Sequence, residues 1–433
     1  MTVAGAYNRG DGLAVARDPQ GKKIGWEDRL TVSLRPFALA AALLAATAAL
    51  TAAFAQTRPV RIGVLVDEAG FASDIGGKGA TLATRMAVED FGGTVLDRPV
   101  EVVSADMQNK PDVASNIVRR WFDLDGIDMV TDIPVSSVAL AVQAVAREKK
   151  KVLMISAATT TELTNAQCSP YTIHWADDTA SLAVGATKAV VQAGGTSWYF
   201  ITADFAFGTA MEKAASDAIR QAGGTVVGSV RHPIGTGDFG SYLLGAQGSG
   251  AKVVALANVG ADTVAAIKQA GEFGLIAGGQ RMVGYIVFIT DVHSLGLDLA
   301  KGLYVTEGFY WDRDERTRVW SKRFFDRHGK MPTKEQANTY LATLHWLKAV
   351  KAVGTTESEP VTAAMKAMPT DYFGVPGSIR KDGRVLYDLS LYQVKTPAES
   401  KGPWDYYTRV RNIPSAEAFL PLEASACPFV AGK

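Results

Sequence analysis

Residues 152–164 read Val152-Leu153-Met154-Ile155-Ser156-Ala157-Ala158-Thr159-Thr160-Thr161-Glu162-Leu163-Thr164. Four apolar residues in a row suit a strand buried on both faces, which then ends in small and hydroxylated residues rather than in a plain turn. Upstream the same grammar repeats. The spacing predicts strands at 60–66, 100–103 and 127–130, alternating with helices over 77–91, 112–124 and 136–148. Continuous apolar strands separated by amphipathic helices indicate a parallel sheet covered on both faces. Downstream the pattern restarts. Helices are expected over 179–193, 208–222, 238–247 and 261–272, and strands at 197–202, 225–230, 253–257 and 282–288. Glycine pairs follow three of the helices (Gly92-Gly93, Gly194-Gly195, Gly223-Gly224), as C-capping requires. The chain therefore reads as two α/β lobes, each an open parallel sheet. A third section differs: helices over 315–328, 334–352 and 360–367, then a hairpin with Lys381-Asp382-Gly383-Arg384 as its turn and a strand over 385–394. The tail after Pro397 is short of regular pattern and reads as an ordered wrap.

Bulk properties bound the function. The chain has 433 residues, 47% hydrophobic and 21% charged, with net charge +1. That is globular composition without the basic footprint of a nucleic-acid binder. The apolar run from Pro36 to Ala55 follows Arg29 and Arg35 and ends Ala53-Phe54-Ala55. A positive flank, an apolar core and a small-x-small end describe a cleavable signal peptide over 1–55, so export to the periplasm is expected; a membrane anchor is the rival reading. Residues 1–29 fit no leader pattern, and we expect translation to start at Leu30 or Val32. In an oxidising compartment the two cysteines, Cys168 and Cys427, can form one disulfide, which in the entropy model constrains the unfolded chain by ~4–5 kcal/mol. The alternative is two unrelated buried thiols.

Enzyme signatures are weak. Gly245 to Lys252 departs from the phosphate-loop spacing and reads as a helix-to-strand connection. No G-x-G-x-x-G follows the first strand and no G-x-S-x-G occurs anywhere. The five histidines show no metal-ligand spacing. No catalytic residue, metal or cofactor is expected. What remains is a set of loops at the carboxyl ends of strands, where open parallel sheets bind ligands. Ser136-Ser137 and Thr159 to Thr161 offer hydroxyls and backbone N–H groups. The first pair opens a helix, which favours an anion; simple helix capping is the competing reading.

Several segments in this order resemble a known family: Arg61-Ile62-Gly63-Val64, the 155–164 stretch, Asp204-Phe205-Ala206-Phe207-Gly208, Lys268-Gln269-Ala270 before Gly271, and Arg327-His328-Gly329-Lys330-Met331-Pro332. Residues 58–430 resemble the type I periplasmic binding proteins of ABC importers, in the branched-chain amino acid group. The resemblance implies two Rossmann-like open-sheet lobes joined by a three-strand hinge, divided as 56–175 with 305–388 and 176–304 with 389–433. It implies a ligand cleft in which Ser136, Ser137, Ala157, Ala158 and Thr159 hold a carboxylate. Trp175, Asp178, Phe207, Asn258, Gly260, Asp262 and Tyr285 then face the rest of the ligand. It further implies a monomer that delivers a small carboxylate or amide to a membrane permease. A ligand sensor feeding a signalling receptor is the alternative.

One departure bears on the ligand. Amino-acid-binding relatives carry an acid in the loop after the strand at 282, for the ligand ammonium. Here that loop reads Gly284-Tyr285-Ile286-Val287-Phe288. An unpaired ammonium in a closed cleft costs several kcal/mol. Either Asp178 or Asp262 compensates, or the ligand is an oxo acid, an aromatic acid or an amide, with Trp175, Phe207, Tyr285 and Trp311 against its body.

Overall fold

The computed structural model describes Gln20 and residues 58–430. The expected leader and signal peptide lie outside the described residues. Everything below concerns the compact unit Pro59–Lys433.

The first sheet holds β1 (Val60–Val66), β2 (Thr94–Val95), β3 (Arg98–Asp106), β4 (Met129–Asp132), β5 (Val152–Ile155) and β6 (Thr172–His174), in the order β2-β3-β1-β4-β5-β6. All pairings are parallel except the β2–β3 hairpin. β4 and β5 are buried throughout, as their unbroken apolar runs demand. In β1, Gly63 is obligatory: a Cβ there would stand 2.6 Å from the Trp121 ring.

The second sheet holds β7 (Ser197–Ala203), β8 (Thr225–His232), β9 (Val253–Ala257) and β10 (Arg281–Gly284), all parallel, in the order β10-β9-β7-β8. Two small antiparallel sheets complete the unit. One runs β11 (Tyr304–Glu307), Leu389–Val394, Tyr407–Ile413, with the middle strand paired to both others. The other joins β12 (Thr370–Tyr372), β13 (Val375–Ile379) and β14 (Val385–Leu386). β15 spans Leu389–Val394 and β16 spans Tyr407–Ile413.

Two expectations are corrected here. The single strand expected over 385–394 is two strands in different sheets. The chain changes sheet at Tyr387, whose ring stacks on Tyr372 at 4.0 Å and whose hydroxyl donates to Asp177 (2.6 Å). The tail also contains a strand, β16. Its Thr408, Arg409 and Val410 are exposed, so only Tyr407 and Ile413 mark the buried side.

The chain passes between the two large sheets after β6, around β11 and between β14 and β15. These crossings enclose a buried ionic cluster. Lys334 Nζ lies 3.1 Å from Asp177 and 3.6 Å from Glu307, and donates to the Thr306 carbonyl (3.0 Å). Burial pushes Glu307 up to about 8, against the pull of Lys334. Burial would lower Lys334, but Glu307 and Asp177 more than offset it.

Cys168 and Cys427 are joined, with Cα atoms 5.5 Å apart. The tail runs from β16 to this bond. A short helix, Ser415–Ala418, lies against the helix Thr179–Gln192. Phe419 then stacks under the Arg384 guanidinium (5.0 Å), and Ala426 N–H donates to Asn165 Oδ1 (2.6 Å).

Candidate functional site

The carboxyl ends of β1, β4 and β5 face those of β7, β9 and β10. After β1, Asp67 folds its loop by accepting from Gly70 N–H (2.7 Å), Ala72 N–H (2.9 Å) and Asn109 Nδ2 (2.7 Å). The folded loop presents Phe71 and Ile75. After β4, Asp132 and Ile133 take positive φ (75° and 60°) and turn the chain into the helix Ser136–Lys149. Its N-cap is Val135, and no side chain caps it. The first N–H groups of a helix have no partner within it, so this end is open to an anion.

The stretch after β5 divides its labour. Ser156 Oγ bonds Thr339 Oγ1 (2.7 Å) in the interior. Ala158 is structural: its N–H donates to Ile133 O (3.0 Å) and its carbonyl accepts from His174 Nε2 (2.7 Å). Thr160 Oγ1 caps the 3₁₀ turn Thr161–Thr164. Ala157 and Thr159 are left to face the cleft.

From the other side come Phe205 and Phe207, Val259, and Ile286 with Phe288. Phe71 meets Phe205 edge-on at 6.2 Å across the gap. Gly260 has φ +62°, and a Cβ on it would stand 2.5 Å from the Phe71 carbonyl. The two sides are shut upon each other. They leave a cavity of about 20 Å3, lined by Phe71, Ile75, Pro134, Ser136, Ala157 and Thr159 on one side and the five apolar residues on the other. That is space of the order of one water molecule. A larger ligand enters only with the sides parted. The polar side chains on the lining are two hydroxyls, Ser136 and Thr159; no charged side chain is among them.

This geometry, two open parallel sheets closing strand ends over one cavity, agrees with the sequence comparison. Residues 59–403 match the periplasmic binding protein family. The chain belongs to the periplasmic binding protein family. A periplasmic binding protein of Burkholderia mallei superposes with a TM-score of 0.84 at 46% identity, covering 86% of this chain and 99% of that one. A branched chain amino acid ABC transporter periplasmic ligand-binding protein of Burkholderia xenovorans LB400 superposes at 0.77 with 40% identity and the same coverage. The Leu/Ile/Val-binding protein homolog 6 of Brucella melitensis biotype 1 is 25% identical over 260 residues, 59% of this chain. The match spans 65% of that relative's length. Family membership implies a periplasmic location and binding without chemistry.

Within this periplasmic binding protein, Ser136, Ala157, Thr159 and Phe207 line the cavity, and Gly260 closes against Phe71. Ser137 sits half-buried on the same helical turn as Ser136 but outside the lining. Six expected residues stand off this lining. Ala158 spends its backbone groups inside the fold, as described. Trp175 turns away from the cleft and packs against His345 (5.3 Å). Asp178 caps the helix Thr179–Gln192 in a capping box with Ser181 and lies 3.6 Å from Arg384. Asn258 Oδ1 accepts from Thr263 Oγ1 (2.7 Å) and is fully buried. Asp262 accepts from Gly235 N–H (3.1 Å) and lies 3.9 Å from His232. Tyr285 is core: its ring stacks on Phe200 and its hydroxyl pairs with Thr187 (3.0 Å). Trp311 donates to Trp404 O (2.8 Å), also away from the cleft.

The residues missed are the apolar ones: Phe71, Ile75, Pro134, Phe205, Val259, Ile286 and Phe288. Most stand in loops whose position at strand ends was recognised. Large apolar side chains in such loops were the available signal, because a loop packed only on its own lobe has little use for them.

Proposed function

We propose that this protein is the solute-binding component of an ABC importer, closing on a small carboxylate whose body is apolar and carries no ammonium. The observation that carries the reading is the lining. Hydroxyls and an uncapped helix start stand at one side of the cavity, phenylalanine and aliphatic side chains stand around the rest, and no acid is among the lining residues. Asp178 and Asp262 are already engaged as a cap and a loop tie, so neither meets an ammonium. An aromatic acid or a branched oxo acid satisfies every wall; a free amino acid leaves its ammonium against Phe or Ile.

In this reading residues 1–55 direct export, and the lobes are 56–175 with 305–388 and 176–304 with 389–433. The support for the division is that β1–β6 form one sheet and β7–β10 another. Ligand touching both lobes favours the shut state by its differential affinity for it. A monomer then presents the closed form to a permease.

Calorimetric titration with benzoate, 4-methyl-2-oxopentanoate and leucine tests the ligand class. The two acids without an amine are expected to bind at least tenfold tighter than leucine. Equal or tighter binding of leucine overturns the charge argument.

A further inference from the structure

A second concavity lies outside the cleft. It has a volume of about 450 Å3, within the ~300–1,000 Å3 usual for small-molecule sites. Two helices, Glu315–His328 and Lys334–Val353, form its walls together with the turn at Phe373. The floor is aromatic. Trp320 stands 5.1 Å from both Tyr340 and Phe373, and Tyr340 stacks on Phe373 at 5.9 Å. Trp175 and His345 continue the floor.

Three features separate this cavity from a packing defect. First, the indole N–H groups of Trp175 and Trp320 are buried and have no acceptor among the described residues. Buried donors of this kind are rare without a partner. Second, the rim carries Arg316 and Lys348, exposed cations for which no carboxylate among the described residues lies within ion-pair distance. The other lining charges are engaged: Arg323 with Asp90, Glu315 with Arg318, and Asp371 with the Gly374 N–H. Third, Val319 is 53% exposed at the mouth, an apolar residue where a solvated helix face has no need of one.

Unpaired cations at the rim, unpaired N–H groups below and flat rings on the floor have one complement. We propose that this cavity is a second ligand site, taking a small anion with a flat apolar body, such as an aromatic carboxylate or sulfonate. It does not depend on the cleft. The two sites do share a structural link. The Trp175 backbone N–H donates to Ile155 O (2.7 Å) at the end of β5, and its backbone carbonyl accepts from Tyr387 Oη (3.0 Å) at a crossing between lobes. An occupant packed on Trp175 therefore touches a residue tied to both the cleft strand and the hinge.

The probe is 8-anilinonaphthalene-1-sulfonate, titrated into the purified protein and followed by its fluorescence. One saturable site is expected. Arg316→Ala with Lys348→Ala should weaken it at least tenfold, and Leu344→Trp, which fills the cavity, should abolish it. Ala157→Phe, which blocks the cleft, should leave it unchanged. Loss of the signal in Ala157→Phe would show that the probe reads the cleft and would overturn the proposal. So would failure to saturate, or indifference to the three cavity substitutions. Melting temperatures of all variants within a few degrees of the parent establish that folding is intact. If the double variant unfolds, the two single substitutions supply the same comparison.

Discussion

Ser136 carries a hydroxyl that its own helix does not use. It lies on the cavity wall, and the helix start beside it is uncapped. A hydrogen bond to a charged group is worth about 1.5–3 kcal/mol. Ser136→Ala is therefore expected to weaken carboxylate binding by roughly 10- to 100-fold. It should leave the melting temperature of the free protein nearly unchanged, because no structural bond is lost; titration and thermal unfolding check the two halves. Thr160, by contrast, caps the following turn, so Thr160→Ala should cost stability rather than affinity. The sequence distinguishes these hydroxyls poorly. Both stand in small, polar, strand-end stretches, and only the direction of each side chain separates a ligand group from a cap. The same holds for Asp178. Its pattern, an acid before a helix with Ser181 three residues on, is read equally well as a ligand contact or as a capping box, and the capping box is what forms.

Loops close this molecule, and the one through Gly260 sets how tightly. Its φ of +62° and its approach to Phe71 leave no room for a side chain when the sides are shut. Gly260→Ala is expected to fold, since its strand is intact, but to weaken ligand binding at least tenfold by hindering closure. Small-angle scattering with saturating ligand should then report a more open particle than the parent. The alternation of strands and helices was legible because parallel strands buried on both faces leave unbroken apolar runs such as Val152 to Ile155. β16 was not, because as an edge strand its exposed Thr and Arg residues dilute the pattern. The break at Tyr387 was not, because a strand that changes sheets keeps its apolar composition while its partners change. In the cleft, the loops are legible at the strand ends, but of the large apolar side chains on the lining only Phe207 stands out from the sequence. The cavity is lined chiefly by Phe, Ile and Val, whose role depends on a second lobe that local pattern does not reveal.

Across the whole molecule, the hinge is held by buried charges. Lys334→Met leaves Asp177 without its ion-pair partner in a closed interior, and breaking such a pair costs ~3–5 kcal/mol. Urea unfolding should show that loss. The acids nearby give a pH dependence of definite sign. Burial pushes Asp291 up to about 7 and Glu307 up to about 8. Both keep their protons in the folded chain where the unfolded chain has released them, between roughly pH 4 and 8. At these two sites the folded state binds more protons in that window, so their contribution to stability falls as pH rises through it. Calorimetry should find that the melting temperature of Glu307→Gln, relative to the parent's, rises from pH 5 to pH 8. A difference between the two proteins that does not change with pH contradicts the assignment.

The Cys168–Cys427 bond adds a constraint of another kind. Its loss in Cys427→Ser is expected to cost ~2–5 kcal/mol. The bond also closes a covalent ring of backbone that holds β6 through β16, and hence the entire second sheet. A single proteolytic cut anywhere inside that ring severs the chain without releasing a fragment. The nicked molecule differs in mass only by the added water of hydrolysis, and two pieces separate only after reduction. A surface loop inside the ring can be cut once and the two halves of the cleft still remain tethered to each other.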